Sequence, residues 1–568
     1  MFLFYFVLCN EGRLILHMVG STGRFQVLHV TLLSIPVLMM ASHNLLQNFV
    51  ANVPLHYCKA HTNLSQSQLS PEETLLITVP LDQKGKPERC QRYVTPQWHL
   101  LVKNGSSAEQ VDTHGFDVDL QGCTDGWSYD ITERSSTIIS DWDLVCDMRS
   151  LKQMGQTVYM GGVLVGAVIF GGLSDRYGRR ILLLISNMLM AVSGTCVAFS
   201  NSFALFCLFR FGCGMALSGL GLNTFSLIVE WIPTRVRTVV GTLTGYCYTL
   251  GQLFLAVLAY FIRDWRWLTL AVSLPFYVFF LFSWWFHESS RWLVLSNNSE
   301  KAIKNLKSVA RFNGRHEEGE KIDIKMLQES MKKEMSGSQG SYSVLDLFRT
   351  PTMRSMTVCL SAVWLSTSFA YYGLAMDLQK FGVDIYLIQV IFGAVDIPAK
   401  IIMTVSMSFI GRRPSQSGAL ILAGITILIN VLVPYEQQTV RTCLAVMGKG
   451  CLAASFNCCY LYSGELFPTI IRQNGMGCVS MMARVGAMVA PMVILTRDSI
   501  PWLPGLIYGG APILSGVAAI FLPETLGSPL PDTIQDVEDR GSGRRSKMAP
   551  KEAISLQDTQ ADLLKPAA

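Results

Sequence analysis

Long apolar runs separated by polar segments dominate this chain, and twelve of the runs are long enough to cross a lipid bilayer. A membrane-spanning helix needs roughly 20 consecutive, mostly apolar residues. The pattern therefore predicts an all-α integral membrane protein with twelve transmembrane helices in two groups of six. The runs lie near residues 25–49, 155–173, 181–200, 204–229, 239–262, 267–286, 355–377, 383–408, 416–434, 439–463, 474–496 and 502–522.

Composition agrees with a membrane protein. The chain has 568 residues, of which 50% are hydrophobic and 15% charged, whereas soluble domains carry about 25% charged residues. The net charge of +5 is small for this length. The basic residues fall between the apolar runs, as the positive-inside tendency requires, which argues against a nucleic-acid partner. The polar segments divide the chain into a cytoplasmic N-terminal segment (1–24), a first half (25–286) containing a loop (50–150), a central loop (287–353), a second half (354–522) and a cytoplasmic tail (523–568).

The loop at 50–150 has the features of an extracellular segment held by two disulfides. Sequence alone leaves their pairing open, and reduced thiols are the alternative. The cluster of His56, Cys58 and His61 could instead bind a metal, but it lacks a second ligand pair at zinc spacing. The loop contains four cysteines, Cys58, Cys90, Cys123 and Cys146, and two sequons that predict N-glycosylation, at Asn63 and Asn104.

The central loop has the opposite character, because it is rich in Lys and Arg and contains no cysteine. We therefore expect it, together with both chain termini, on the cytoplasmic side. Its basic residues include Lys301, Lys304, Lys307, Arg311, Arg315, Lys332 and Lys333.

Three short motifs recur at nearly one spacing, which indicates two homologous halves in parallel orientation. Glu230 opens an E-x-x-P-T-x-x-R segment after the fourth run, and Glu465 opens the same segment after the tenth. A Gly-Arg-Arg triplet follows both the second and the eighth runs, and an acid follows both the sixth and the twelfth. These matching marks are Gly178–Arg180 with Gly411–Arg413, and Glu288 with Glu524.

These charges lie at matching helix ends on the predicted cytoplasmic side. Acids and bases there suit a network that closes the inner mouth when two bundles rock against each other, with the glutamates pairing with the arginines. The alternative is that they only set topology and anchor helix ends. The gating candidates are Asp175, Arg176, Arg179, Arg180, Glu230, Arg237, Glu288, Glu465 and Arg472.

The stretch Gly171–Arg180, GGLSDRYGRR, resembles the signature of the major facilitator superfamily. Within that superfamily, three segments resemble the organic ion transporters of solute carrier family 22. They are STIISDWDLVC at Ser136–Cys146, ESSRWL at Glu288–Leu293 and GELFPT at Gly464–Thr469. The resemblance, from about Gly20 to Gly527, implies the major facilitator fold with a large extracellular loop between the first two helices.

Two departures from the family pattern stand out. Ser290 occupies a position where family members usually have Pro. Residues 1–17 do not resemble the usual polar start, whereas the segment after Met18 does, so Met18 is an alternative to Met1 as the first residue. A signal peptide is a weaker reading of 1–17, since the basic start and the small-residue cleavage site are missing.

Ionisable residues inside membrane helices cost about 2.5–3.5 kcal/mol on insertion scales and are functional candidates by default. Arg484 lies in the middle of the eleventh run, whose sequence contains no acid between Arg472 and Arg497. Its planar guanidinium suits a carboxylate or sulfate, although an acid on another helix is an alternative partner. Lys400 follows Asp396 by one helical turn, and such an i,i+4 pair can partly neutralise itself.

The resemblance implies which branch of the family this is. The organic anion branch has Lys and Arg at the positions of Lys400 and Arg484, whereas the cation branch has an acid at the latter. Arg210 resembles part of a second superfamily motif, which implies a structural or coupling role. The resemblance also implies an apolar and aromatic cavity around Arg484, with helix packing or an interfacial belt as the alternative for any single ring. Its candidates are Met40, Asn44, Tyr248, Trp364, Tyr371, Tyr372, Phe456 and Tyr460.

The sequence carries no signature of an enzyme, a metal site or a bound cofactor. Gly448-Lys449 lacks the other residues of a phosphate-binding loop. The resemblance implies a plasma-membrane antiporter that exchanges amphiphilic organic anions for intracellular dicarboxylate by alternating access. The alternatives are a carrier of cations or zwitterions, and a ligand-binding paralogue that does not transport.

Overall fold

In the computed structural model, twelve helices among the described residues are long and apolar enough to cross a membrane, as the hydropathy pattern predicts. Met1, Met18, Asn63, Asn104, Lys332 and Lys333 lie outside the described residues. The described residues are 19–20, 23–60, 69–82, 85–98, 100, 119–129, 136–327, 344–376, 378, 383–434, 436–468, 470–528, 531 and 533–541.

We number the spans in chain order. The first consists of Arg24–Leu45 continued by Gln47–Val50, and the sixth of Trp265–Ser273 continued by Pro275–Ser283, where the missing N–H of Pro275 interrupts the backbone ladder. The other spans are Ser150–Tyr177 (second), Arg179–Ala198 (third), Phe203–Trp231 (fourth), Thr234–Phe261 (fifth), Pro351–Ala375 (seventh), Ile385–Phe409 (eighth), Arg412–Leu432 (ninth), Gln438–Leu466 (tenth), Arg472–Ile494 (eleventh) and Leu503–Ile520 (twelfth).

Polar residues at the predicted run boundaries begin several of these helices. Asp384 caps the eighth span by accepting hydrogen bonds from the backbone N–H groups of Tyr386 and Leu387, at 2.7 and 3.2 Å. Asp264 caps the sixth span in the same way through Arg266 and Trp267. Such side chains satisfy N–H groups that have no partner within the helix.

The Gly-Arg-Arg triplets make the tight turns between the second and third spans and between the eighth and ninth. Gly178 and Gly411 have φ angles of 97° and 115°, which side chains with a Cβ rarely adopt. A Cβ at these positions would also lie 2.4 Å from a carboxylate oxygen of Glu288 and 2.7 Å from one of Glu524. The sequence repeat is therefore also a structural repeat.

Short elements connect the spans. After the first span come the strands β1 (His56–Cys58), β2 (Gln91–Tyr93), β3 (Leu120–Gly122) and β4 (Trp127–Tyr129), which pair antiparallel as β1 with β4 and β2 with β3. The short helices are Pro71–Thr78 and Ile138–Asp141 in the same loop, Ser290–Leu295, Ser299–Phe312 and His316–Glu320 between the halves, and Ile534–Gly541 after the twelfth span. In the described part of the chain, 3₁₀ turns lie at Cys146–Met148, Val344–Phe348 and Leu495–Asp498.

The long first loop is stapled by two disulfides, Cys58–Cys123 and Cys90–Cys146. They assign the pairing that the sequence left open. Because Cys58 is bonded to another cysteine, it does not offer a thiolate to a metal. Within the described residues, no group of three or more His, Cys, Asp or Glu is placed to hold a metal ion.

Each half packs as its own bundle, and two helix pairs bring the halves together. The second span packs against the eleventh, and the fifth packs against the eighth. We call the end of the bundle that carries the disulfide-bonded loop the disulfide end, and the end that carries Gly178 and Gly411 the motif end. The interface between the halves contains the cavity described below.

Candidate functional site

A cavity of about 370 Å³ lies between the two halves, within the size range of small-molecule sites. Both halves contribute residues to its wall. Met40 is buried in the hydrophobic core instead. The structure brings nine of the ten sequence candidates together around this cavity: Asn44, Tyr248, Trp364, Tyr371, Tyr372, Lys400, Phe456, Tyr460 and Arg484.

One wall of the cavity is a cluster of aromatic rings from the seventh and tenth spans. Trp364 meets Tyr460 edge to face, with ring centroids 4.4 Å apart, and Tyr371 meets Phe456 at 5.4 Å. Trp364 also donates a hydrogen bond from Nε1 to the hydroxyl of Ser463 at 2.9 Å. These edge-to-face contacts fix the rings, so the same residues form part of the core and present an apolar surface to a ligand.

A polar network from the first half lies next to these rings. Asn44 donates from Nδ2 to the hydroxyl of Tyr248 at 2.8 Å and approaches that of Tyr372 at 3.5 Å. Its Oδ1 accepts a hydrogen bond from Tyr159. The buried guanidinium of Arg210 stacks over the Tyr159 ring at 4.3 Å. Arg210 therefore lies behind the cavity wall, which suits the structural or coupling role implied by the resemblance.

Arg484 of the eleventh span lies on the cavity wall. Its Nη1 donates a hydrogen bond to the hydroxyl of Ser218 in the fourth span at 3.1 Å. The eleventh span thus contacts the first half through this side chain. The guanidinium lines the cavity, where its positive charge faces a ligand.

The carboxylate of Asp396, which also lines the cavity, does not pair with Lys400 as its position in the sequence suggests. Asp396 forms its ion pair with Lys449 of the tenth span, at 2.7 Å, and both side chains are almost fully buried. The ammonium of Lys400 instead donates to the Thr249 hydroxyl at 2.8 Å and to the backbone carbonyl of Gly245 at 3.3 Å. The expected i,i+4 pairing of Asp396 with Lys400 is therefore not the salt bridge that forms.

Lys449 is not among the residues predicted for the site, although it is a cation in the middle of the tenth apolar run. A lysine at such a position requires an acid or several acceptors nearby, and that requirement was the signal. Asp396 and the backbone carbonyl of Phe392, both 2.7 Å from its Nζ, meet the requirement. Tyr371 and Gln252 also donate hydrogen bonds to Asp396, at 3.3 and 3.2 Å.

At the motif end, Glu230 and Glu465 contact arginines of their own halves, whereas Glu288 and Glu524 accept hydrogen bonds from backbone N–H groups. In the first half, Arg179 contacts Asp175 at 3.0 Å and Glu230 at 3.5 Å. Glu288 accepts hydrogen bonds from the backbone N–H groups of Arg179 and Arg180, both at 3.0 Å. Burial is the main cause that raises the pKa of Glu288, against the opposing effect of these N–H groups.

The second half repeats this arrangement. Arg412 contacts Glu465 at 3.0 Å, and Glu524 accepts from the backbone N–H groups of Arg412 and Arg413 at 2.9 and 3.0 Å. Burial of Glu524 opposes ionisation, but the N–H groups around it prevail and lower its pKa. The pKa values of the two equivalent glutamates, Glu288 and Glu524, are therefore shifted in opposite directions.

The remaining motif-end candidates make local contacts. Arg176 lies over the ring of its neighbour Tyr177, Arg180 donates to the carbonyl of Trp284, and Arg472 donates to the carbonyl of Phe467. The side chain of Arg237 lies outside the described part of the chain.

Contacts between the halves close the disulfide end. Asn48 of the first span donates from Nδ2 to the carbonyl of Ala375 at 2.8 Å and reaches Gln389 at 3.4 Å. The rings of Phe49 and Tyr386 stack with centroids 5.6 Å apart. The cavity lining extends the other way, to Thr404, Met407 and Ser480. The cavity therefore extends from the middle of the bundle toward the motif end.

Comparisons of the sequence and of the fold with known proteins agree with one another. Residues 108–535 match the Sugar (and other) transporter family. The chain is 81% identical to solute carrier family 22 member 6 of Pseudopleuronectes americanus, over 98% of this chain and 99% of that protein. It is 49% identical to organic anion transporter 3 of Homo sapiens, over 92% and 93% of the two chains. The inward open xylose transporter of E. coli shares its fold, with a TM-score of 0.55, 20% identity, and 69% of this chain and 89% of that one covered.

Proposed function

Because this chain belongs to solute carrier family 22 within the Sugar (and other) transporter family of the major facilitator superfamily, we propose that it carries organic anions across the plasma membrane. The relatives are solute carriers rather than enzymes. The name of the human relative, organic anion transporter 3, supports an anionic cargo.

The charge of the cavity is the observation that carries this proposal. Its lining contains the cations Lys400 and Arg484 and the carboxylate Asp396. Lys449 already neutralises that carboxylate from behind the wall. The cations on the wall are therefore not cancelled by Asp396, and a desolvated site of positive charge favours an anion.

The rest of the cavity suits an amphiphilic anion. The rings of Trp364, Tyr371, Phe456 and Tyr460 offer an apolar surface for the body of such a ligand, while Arg484 offers a planar fork for its carboxylate or sulfate. Asn44, Tyr248 and Tyr372 provide the polar groups that orient it.

We further propose that the carrier is an antiporter that exchanges external organic anions for an intracellular dicarboxylate. Lys400 and Arg484 are separate cations on two different spans, which gives each carboxylate of a dianion its own partner. Alternating access would then expose one cavity to either side of the membrane in turn, as in other transporters built from repeats.

The orientation belongs to the same proposal. The disulfide-bonded loop carrying Asn63 and Asn104 lies outside the cell, and both termini lie in the cytoplasm. The conformation described here then has its outer end closed and its cavity directed to the cytoplasm. The motif-end clusters around Glu288 and Glu524 would gate the inner mouth by changing partners when the halves approach each other.

The test is an uptake assay in cells that express the chain. Cells are given several labelled organic anions and one labelled quaternary ammonium, with and without preloading with a dicarboxylate. We expect anion uptake that rises with preloading and no uptake of the ammonium. Ammonium uptake would indicate a cation carrier, and saturable binding without accumulation would indicate a ligand-binding paralogue.

A further inference from the structure

Lys400 makes its hydrogen bonds across the boundary between the two halves. It belongs to the eighth span in the second half, whereas Thr249 and Gly245 belong to the fifth span in the first half. The Nζ–Oγ1 distance to Thr249 is 2.8 Å, and the Nζ–O distance to the Gly245 carbonyl is 3.3 Å. The Thr249 side chain is fully buried. The ammonium on the cavity wall therefore also connects the two halves.

A second polar contact crosses the same boundary one helical turn away. Gln252 of the fifth span donates to Asp396 of the eighth at 3.2 Å. Asp396 in turn is held by Lys449. Because the carboxylate forms its salt bridge with Lys449, the hydrogen bonds of Lys400 go to neutral oxygens of the opposite half. An incoming carboxylate would therefore be a stronger acceptor for Lys400 than the neutral oxygens that it contacts in this structure.

We propose that Thr249, with the Gly245 carbonyl, is a positioning residue that holds Lys400 in the unloaded carrier and thereby slows the reorientation of the empty transporter. This inference rests on the proposed anion exchange. It assigns to Thr249 the role of coupling substrate binding to the movement of the halves.

The physical reason is a competition between acceptors. Hydrogen bonds from an ammonium to a carboxylate are stronger than those to a neutral hydroxyl or carbonyl. An anion that enters the cavity therefore takes Lys400 away from Thr249 and weakens the contact between the fifth and eighth spans. An empty cavity offers no such competitor, so the contact persists. A ligand that binds one arrangement better shifts the equilibrium toward it, and here that shift frees the loaded carrier to move.

The test is the Thr249→Val variant, which keeps the size of the side chain and removes the acceptor. Uptake of a labelled organic anion is measured in cells with and without dicarboxylate preloading. We expect uptake without preloading to rise and the ratio of preloaded to unloaded uptake to fall toward one. Loss of one hydrogen bond to a charged group corresponds to a rise of about tenfold in the reorientation rate of the empty carrier, which limits uptake without preloading. Thr249→Ser retains the hydroxyl and should behave as the unchanged protein.

The matched control is Thr244→Val, on the same helix. Thr244 is also buried, but its hydroxyl contacts Ser34 and the Val240 carbonyl within the first half. This variant should leave the preloading ratio unchanged, which separates the loss of the Lys400 contact from a general effect of valine in the fifth span.

Two outcomes overturn the inference. One is an unchanged ratio in Thr249→Val, which includes a fall of uptake in both conditions by the same factor. The other is an equal fall of the ratio in the Thr244→Val control. Surface labelling corrects each uptake for the amount of protein at the membrane. If Thr249→Val does not reach the surface, Thr249→Ala, which also lacks the acceptor, takes its place. The unchanged protein is measured in the same assay. If it does not accumulate anions, the proposed function itself is contradicted, and this outcome is distinct from a failure of the Thr249 inference.

Discussion

Lys449→Met should reduce anion transport although Lys449 does not line the cavity. In the unchanged protein the ammonium lies 2.7 Å from Asp396, the two side chains are 1% and 2% exposed, and the Tyr371 ring lies 4.9 Å away. Removing one partner of a buried ion pair leaves an uncompensated charge and costs about 3–5 kcal/mol. The bare carboxylate of Asp396 would also attract Lys400 one turn away, at about 4 kcal/mol for charges 4 Å apart at an effective dielectric of 20.

Two measurements follow from this argument. In detergent, the melting temperature of Lys449→Met should fall by roughly 3–4 °C, because a chain of this length has a large unfolding entropy. Anion uptake per surface molecule should fall at least about tenfold. The double variant Asp396→Asn with Lys449→Met removes both charges. It should recover most of the melting temperature, because replacing a buried pair as a whole is often nearly neutral.

The chain provides a matched control for burial. Lys307 and Glu320 form an ion pair at the same distance, 2.7 Å, but with side chains 30% and 46% exposed. Lys307→Met should cost less than about 1 kcal/mol, as exposed pairs do. Equal effects of Lys449→Met and Lys307→Met, or normal uptake in Lys449→Met, would refute the reasoning.

Three further predictions concern the gate, the loop and pH. Asp175→Asn removes the contact with Arg179 at the motif end and should lower the maximal uptake rate more than the apparent affinity, whereas loss of surface expression alone would indicate a folding role. Cys58→Ser opens the disulfide to Cys123 and should cost about 2–5 kcal/mol of stability, seen as poor surface expression; normal expression would argue against a structural role for this bond. Because the pKa of Glu288 is raised, its contribution to stability strengthens as the pH falls toward the ordinary Glu value. Because the pKa of Glu524 is lowered, its contribution weakens as the pH falls below that value. The pH dependence of the melting temperature should therefore change in opposite directions in Glu288→Gln and Glu524→Gln, and a change in the same direction would contradict this assignment.

The spans and the repeat could be predicted from the sequence because hydropathy and spacing are local properties. Each of the twelve apolar runs corresponds to a helix, and Gly178 and Gly411 occupy equivalent turns. Arg484 and Lys400 could be identified as charges inside apolar runs. The aromatic and polar residues of the cavity came from the family resemblance, since nothing in the spacing of Tyr248 and Tyr372 indicates that their side chains meet.

Contacts between helices could not be predicted in the same way. The sequence places only Lys400 near Asp396, because both lie on the eighth span. Packing of the eighth span on the tenth brings Lys449 to Asp396 as well. The rotation of the first span likewise places Asn44 on the cavity and Met40 in the core. The pairing of Arg179 with Glu230 likewise depends on how the third and fourth spans pack against each other.

Anion uptake by Arg484→Ala shows whether this cavity is the anion site. Arg484→Lys keeps the positive charge, and Arg311→Ala removes an exposed arginine of the central loop as the control. With surface labelling to correct for expression, the account predicts that Arg484→Ala loses anion uptake with or without dicarboxylate preloading, that Arg484→Lys keeps part of it, and that Arg311→Ala keeps all of it. Normal anion uptake by Arg484→Ala at normal surface levels would contradict the assignment of this cavity as the anion site.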